Sequence, residues 1–430
     1  MTKRRFGKTV SRVGREAGDP DVEISVAADL LSVAGIPIKE DEVSYYSREY
    51  PLESFAIEQS ASAIWAEKER IKHTPDTDAL YKDYQDEIAP IIEKLRKQGN
   101  VKPNGIKNTG DISGLIKDKA RELGYGEVGF TRFDRRYVYS SRRNELRSDL
   151  GNAICLAYEQ DYIKTQEIPG IEAEIAQGKA YQRQAELSLE LSNFINELGY
   201  GAQISGPTWY FGPVIPMFVQ SGLGQLGVNG QLLSPHFGSR ARLQIIITDA
   251  PLTFDSPIDY GIYKFCETCQ ICFMRCPGKA IQAQRVWFRG VEKNKLIHKR
   301  CRPVMARYSG CGICMKVCPI QKYGMAPVME HYLETGQVLG KGSDDLEGFF
   351  LEDKGYFKAG KVPVFDKSFF DMPNGKAEET AYGRLIENLR KTKEDDKQLV
   401  EEIWASYRDE IDNIESQKGN IVDMGMDTDS

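Results

Sequence analysis

The chain carries nine cysteines in 430 residues, and eight of them fall between Cys266 and Cys318. Disulfide frameworks spread their cysteines along small secreted chains, so this crowding points to metal instead. The first set reads "CETCQICFMRCP" and supplies Cys266, Cys269, Cys272 and Cys276, with Pro277 following. The second set, Cys311, Cys314 and Cys318 with Pro319 following, repeats the last three members of the first. Its missing member would sit at position 308, where the chain has Tyr308, and Cys301 is the cysteine left to complete the count. The ninth, Cys155, lies in "NAICLAYE" and reads as a small buried apolar residue of a strand.

C-x2-C-x2-C-x3-C-P is the ligand spacing of bacterial ferredoxins with two clusters, in which the fourth cysteine serves the other cluster. The spacing therefore predicts one [4Fe–4S] cluster on Cys266, Cys269, Cys272 and Cys318, and a second on Cys276, Cys301, Cys311 and Cys314. Zinc is the rival ligand, since CxxC pairs also build zinc ribbons. It leaves the twofold Cys-x3-Cys-Pro unexplained. Clusters carry single electrons and do no bond chemistry themselves. The long segment before Cys266 must build the place where the electrons are used.

The elements that position these residues are readable from pattern. "DISGLIKDKARELG" is a helix capped by Asp111 or Ser113 and stopped at Gly124. "GEVGFTRF", "AICLAYE" and "RLQIIITD" read as strands, and "AYQRQAELSLELSNFINELGYG" as an amphipathic helix of about six turns ending at Gly199. Strands alternating with helices predict an α/β (α+β) fold. The expected organisation is an N-terminal extension over residues 1–105, with a helix near "SFAIEQSASAIWAEKERI". A catalytic domain follows over 106–258, a cluster module over 259–326, and a C-terminal segment over 327–430 with a charged helix and polar tail. The net charge of −6 does not advertise nucleic acid as a partner. No apolar run reaches the roughly 20 residues that span a bilayer. The stretch "RRFGK" is similar to a twin-arginine signal, but polar residues follow it in place of an apolar segment, so a cytoplasmic location is expected and the membrane partner is left open.

The stretch "GLGQLGVNGQLLSPHFGSRARLQIIITDAPL", followed by "YKFCETCQICFMRCPGKAI" and "CGICMKVCPIQK", resembles the corrinoid-dependent iron–sulfur reductases. Two families share that layout, the reductive dehalogenases and the epoxyqueuosine reductases. The resemblance covers roughly residues 110–330. It implies a nitroreductase-like cobalamin-binding domain joined to a ferredoxin-like module with two [4Fe–4S] clusters. Gly222, Gly224, Gly227 and Gly230 would let the backbone approach a flat corrin, and Asn229 would bind its rim or tail. None of His73, His236, His298 and His331 sits in an Asp-x-His-x-x-Gly arrangement, so the corrinoid is expected base-off.

The helix containing Tyr181 separates the two families. Epoxyqueuosine reductases open it with Asp-Tyr-His, the Asp being the proton donor, whereas this chain has Ala180, Tyr181 and Gln182. Reductive dehalogenases use the tyrosine itself, assisted by an Arg or Lys. The resemblance thus implies Tyr181 as proton donor, placed where its helix begins after Gly178, and Arg240 as its partner, with Arg242 the alternative. The substrate would be a small organohalide, and an external low-potential donor (ferredoxin, flavodoxin or reductase) would supply electrons. A phenol keeps its proton at neutral pH and can give it to a far more basic carbon. The chain departs from the family at Pro207, where dehalogenases often have Asn. Trp209, Tyr210 and Phe211 either wall an apolar pocket or pack in the core.

Overall fold

In the computed structural model, the described residues are 2–7, 21–41, 43, 87–88, 90–95, 97–138, 144–206, 210–288, 290–370, 384–385, 387–389, 391–392 and 396–415. The helix expected near 54–71, the residues Pro207, Thr208 and Trp209, and the polar tail over 420–430 lie outside them.

A hairpin of β1 (Thr2–Gly7) and β2 (Asp21–Val26) leads the chain. Helix α1 (Ile112–Glu122) follows, with the Asp111 carboxylate accepting from the Gly114 amide and Gly124 ending the run at φ 103°. The central sheet is built from β3 (Glu127–Arg132), β4 (Asn152–Glu159), β5 (Ala202–Ser205) and β8 (Ala241–Thr248). Between β5 and β8 lie the two-residue strands β6 (Gln225–Leu226) and β7 (Leu232–Leu233), which pair with each other. The sheet order is β3-β4-β8-β5 and all three pairings are antiparallel. Strands and helices alternate as the pattern requires, but the antiparallel sheet makes the fold a mixed one of the α+β kind.

Both sheet faces are covered, so residues 153–157 of β4 and residues 245–247 of β8 are continuous buried apolar runs. Ile154, Leu156 and Ile246 pack against α1 and against α3 (Ile171–Glu197) through Ile116, Leu187 and Ile195. The alternate residues, Cys155, Ala157 and Ile245, pack against α4 (Ile215–Gln220) through Met217 and Phe218. Cys155 is fully buried, and burial pushes its thiol up to about 12. A short helix, α2 (Tyr162–Thr165), precedes α3.

The cysteine module consists of short helices: α5 (Ile262–Cys269), α6 (Ile271–Arg275), α7 (His298–Arg307), α8 (Ile313–Lys316), α9 (Pro319–Tyr323) and α10 (Met325–Thr335). A hairpin that the sequence reading did not single out, β9 (Ile281–Phe288) with β10 (Val291–Leu296), separates the two cysteine sets. The thiols share one core with β2, α5 and α10. A further hairpin, β11 (Phe349–Leu351) with β12 (Gly355–Phe357), and α11 (Lys397–Glu415) complete the described chain. Among the described residues no helix is long and apolar enough to cross a membrane.

Candidate redox and proton-transfer site

Helices as short as α5, α6 and α8 exist because left-handed residues interrupt them. Gln270 at φ 54° separates α5 from α6, and Cys311 at φ 56° with Gly312 at φ 70° precedes α8. Each break turns the chain so that thiols from successive turns face one space. Cys266, Cys269, Cys272 and Cys318 line a single small cavity of about 20 Å³. Burial pushes the Cys272 thiol well up, and the crowding of Cys266, Cys269 and Cys318 adds to it. Burial likewise raises Cys314, and the thiols of Cys311, Cys301, Cys276 and Cys318 add to it. That cavity brings together Cys266, Cys269, Cys272 and Cys318, the set that the spacing assigns to one cluster. Among the described residues no three His, Cys, Asp or Glu side chains converge as ligands of one metal ion. Thiols ranged around a cavity suit a polynuclear cluster better than a single ion.

Tyr308, at the position of the missing cysteine, is buried. Its hydroxyl donates to Asp353 Oδ1 at 2.8 Å, Arg307 Nη2 pairs with Asp353 Oδ2 at 2.9 Å, and its ring meets Phe365 edge-on. The tyrosine thus ties α7 to the loop before β12, and Cys301 lies two turns earlier on the same helix.

Tyr181 is half-buried in the interior of α3. The helix begins at Ile171 and not near Gly178, so Tyr181 lies almost three turns inside it. Its hydroxyl is 3.4 Å from Arg242 Nη1, and the Arg242 guanidinium carbon is 5.5 Å from the centre of the Tyr181 ring. Arg242 Nη2 is 3.9 Å from the Met315 sulfur, which lies between the ligand positions Cys314 and Cys318. The Arg242 backbone carbonyl accepts from Gln184 Nε2 of α3 at 2.8 Å, fixing strand to helix at this point. Arg242 Nε is buried and has no hydrogen-bond partner. A buried guanidinium donor left open is costly, and an acceptor on a ligand would satisfy it.

Arg240, the expected partner of Tyr181, is placed differently. It is 1% exposed, and its fork makes five hydrogen bonds: two to Glu159 Oε1 and one each to the carbonyls of Phe237, Gln321 and His236. A guanidinium has five N–H donors, so Arg240 has none left for a phenol. Burial lowers its pKa, and the Glu159 carboxylate opposes that. Arg242 takes the place expected of Arg240.

The glycine-rich segment divides in two. Gly222, at φ 72°, and Gly224, at φ 157°, lie against other backbone. A Cβ would stand 2.6 Å from the Ser256 carbonyl oxygen at the first and 2.6 Å from that of Leu233 at the second. Tyr260 also donates to the Gly222 carbonyl. These glycines serve chain packing in this structure. At Gly227 a Cβ would meet Asn229 Oδ1 at 2.8 Å. Gly230, at φ 75°, faces open space and is the one position of the run free to approach a ligand. Asn229 lines the cavity of the first quartet, and its Nδ2 donates to the Cys314 carbonyl at 3.3 Å, so it bridges the two cysteine sets. Of the aromatic wall, Phe211 belongs to the core, and Tyr210 lies over Gly206 with its hydroxyl donating to the Leu243 carbonyl at 3.0 Å. Met315 and Gln184 were not legible as site residues, because their roles arise only from the contact of α8 and α3 with β8.

No protein-family model matches the chain. Among curated proteins it is similar to the tetrachloroethene reductive dehalogenase of Dehalobacter restrictus, 28% identical over 288 residues, covering 54% of this chain and 51% of that protein. The tetrachloroethene reductive dehalogenase of Sulfurospirillum multivorans is 35% identical over 151 residues, 33% of this chain and 30% of the relative. An epoxyqueuosine reductase of Lactococcus garvieae is 31% identical over 115 residues, 25% of this chain and 32% of the relative. The chain spans about half the length of the first of these. Among solved structures, a reductive dehalogenase described with a mechanism for B12-dependent dehalogenation has a TM-score of 0.62 at 21% identity, covering 81% of this chain and 55% of that one. A catabolic reductive dehalogenase gives 0.60 at 23% identity, covering 73% and 47%. The homologues of this chain are thus reductive dehalogenases, with epoxyqueuosine reductase a further relative, and its fold is that of the dehalogenases.

Proposed function

We propose that this chain is a corrinoid-dependent iron–sulfur reductase that removes halogen from a small organohalide, with Tyr181 as proton donor and Arg242 as its partner. The observation that carries the reading is the Tyr181–Arg242 pair, which touches the loop of the second cysteine quartet through Met315. Gly230 and Arg242 are residues that would contact a base-off corrinoid, which would supply the reductant, and the two sets of thiols would hold [4Fe–4S] clusters that supply electrons one at a time. The chain's own residues do the rest. Replacing carbon–halogen by carbon–hydrogen takes two electrons and one proton, and the halide departs with the bonding pair. The Tyr181 hydroxyl provides the proton. The Arg242 guanidinium beside it stabilises the phenolate left behind.

Tyr181→Phe keeps the ring and removes only the acidic proton. Turnover of tetrachloroethene, or of whichever substrate a panel of haloalkenes and haloaromatics identifies, should fall roughly 10²–10⁴-fold, the usual worth of a positioned general acid. Iron and cobalt content should stay at the wild-type level. Tyr181→Phe and Arg242→Ala should combine less than additively, because the two side chains act as a unit. A Tyr181→Phe protein as fast as wild type would sink the assignment.

A further inference from the structure

The stretch from Lys264 to Lys322 carries thirteen Lys and Arg against two Asp and Glu, in a chain whose total is 57 against 63. Some of these charges are internal: Arg275 is fully buried and donates to the carbonyls of Glu347 and Phe357. Others reach the surface on and around the β9–β10 hairpin. In its antiparallel register Val286 stands opposite Lys293, and Phe288 opposite Val291. Side chains alternate along a strand, so Val286, Phe288, Lys293 and Lys295 share one sheet face. Lys293 and Lys295 lie over the Phe288 ring at 5.0 and 3.5 Å. Val286 is 39% exposed, and Trp287 at the hairpin's other face is 46% exposed with Lys39 over its ring. The result is a small apolar patch bordered by ammonium groups.

The hairpin is fastened beside the first cysteine quartet. Arg285 of β9 pairs with Glu267, the residue after Cys266, and its Nη2 donates to the Tyr263 carbonyl at 2.5 Å. The Arg285 guanidinium ring-stacks on Tyr263 at 3.4 Å, and the Tyr263 hydroxyl returns to Glu292 of β10 at 2.5 Å. Arg285 and Glu292 lie on the face opposite Val286 and Phe288, so the hairpin is fastened to α5 beside Cys266 by its inner face and carries the patch on its outer one.

We infer that the outer face of this hairpin is the docking surface for an acidic one-electron carrier protein. The inference rests on the reading of the first quartet as a redox centre, and it adds where and by what chemistry the donor is recognised. A transient redox partner needs only a small interface with an apolar centre and a charged rim. Lysines around Val286 and Phe288 select a carrier whose rim is carboxylate, and long-range attraction speeds its arrival. In each encounter the carrier is oxidised by one electron and this chain is reduced by one.

The test uses the full chain with its clusters reconstituted, and an acidic flavodoxin as probe. Binding is measured by titration calorimetry at low and high salt, for wild type and for Lys293→Glu with Lys295→Glu. The expected result is binding at low salt that weakens roughly tenfold or more in the double variant and fades with added salt. Iron content, and the rate of reduction by dithionite, should match wild type in that variant. Equal flavodoxin binding by variant and wild type would overturn the proposal. So would phosphatidylglycerol vesicles binding through Lys293 and Lys295 where flavodoxin does not. Hairpin-dependent flavodoxin binding in a protein that reduces no organohalide would leave the docking surface standing and remove the dehalogenase reading.

Discussion

Arg240 and Arg242 stand two residues apart and do different work. Spacing could not separate them, because both belong to "SRARLQ" and both lie on one side of the chain's pleat. Glu159 decides, reaching Arg240 Nη2 at 2.8 Å from β4, a strand 81 residues away in sequence. Arg240→Ala removes the guanidinium from a buried ion pair and from three carbonyls, so it should destabilise the fold by about 3 kcal/mol, read as a lower denaturation midpoint. Arg242→Ala should leave that midpoint close to wild type and lower turnover instead. The reverse pattern would restore Arg240 to the site and demote Arg242. Tyr181 itself was legible from its motif, but its position was not. "PGIEAE" before it carries a helix start, with Gly170 as cap and Glu172 and Glu174 in the first turn, and that signal places the start at Ile171.

The cysteine module shows what a local pattern can carry at the scale of elements. The gathering of Cys266, Cys269, Cys272 and Cys318 around one cavity follows from spacing and left-handed breaks, which are properties of short stretches. The β9–β10 hairpin had a usable signal too, the alternation of "IQAQRVWF" and "VEKNKL" on either side of Arg289 and Gly290. Cys301 comes from α7, outside the repeated motif. Cys301→Ser should lose up to half of the bound iron, while Cys155→Ser, in the sheet core, should keep all of it; colorimetric iron assay distinguishes them. The same helix is held by Asp353. Burial acts to raise this carboxyl, but hydrogen bonds from Tyr308 and Arg307 outweigh it and leave it below its ordinary range. A depressed carboxyl stabilises the fold above its unfolded pKa, and that contribution disappears as pH falls through the folded value. Asp353→Asn should therefore lower the melting temperature at neutral pH, and the gap to wild type should close in acid. A gap that stays constant down to strongly acidic pH would mean the carboxylate is not what holds α7.

At the scale of the whole molecule, a covered antiparallel sheet presents Arg242 from β8 and Tyr181 from α3 to the edge where the cysteine module packs. Met315 and Asn229 are two of the points of contact with the cysteine loops. The sheet strands and the module were legible because their patterns are strong and local. The antiparallel order was not, since alternation of strands and helices does not fix strand direction. The central claim is that this one chain houses two iron–sulfur clusters and a corrinoid. Metal analysis of protein made anaerobically with iron, sulfide and cobalamin available tests it most directly. About eight irons and about one cobalt per chain, with no zinc, are the expected result. Zinc in the thiol sites, or a full complement of iron with no cobalt, would contradict it.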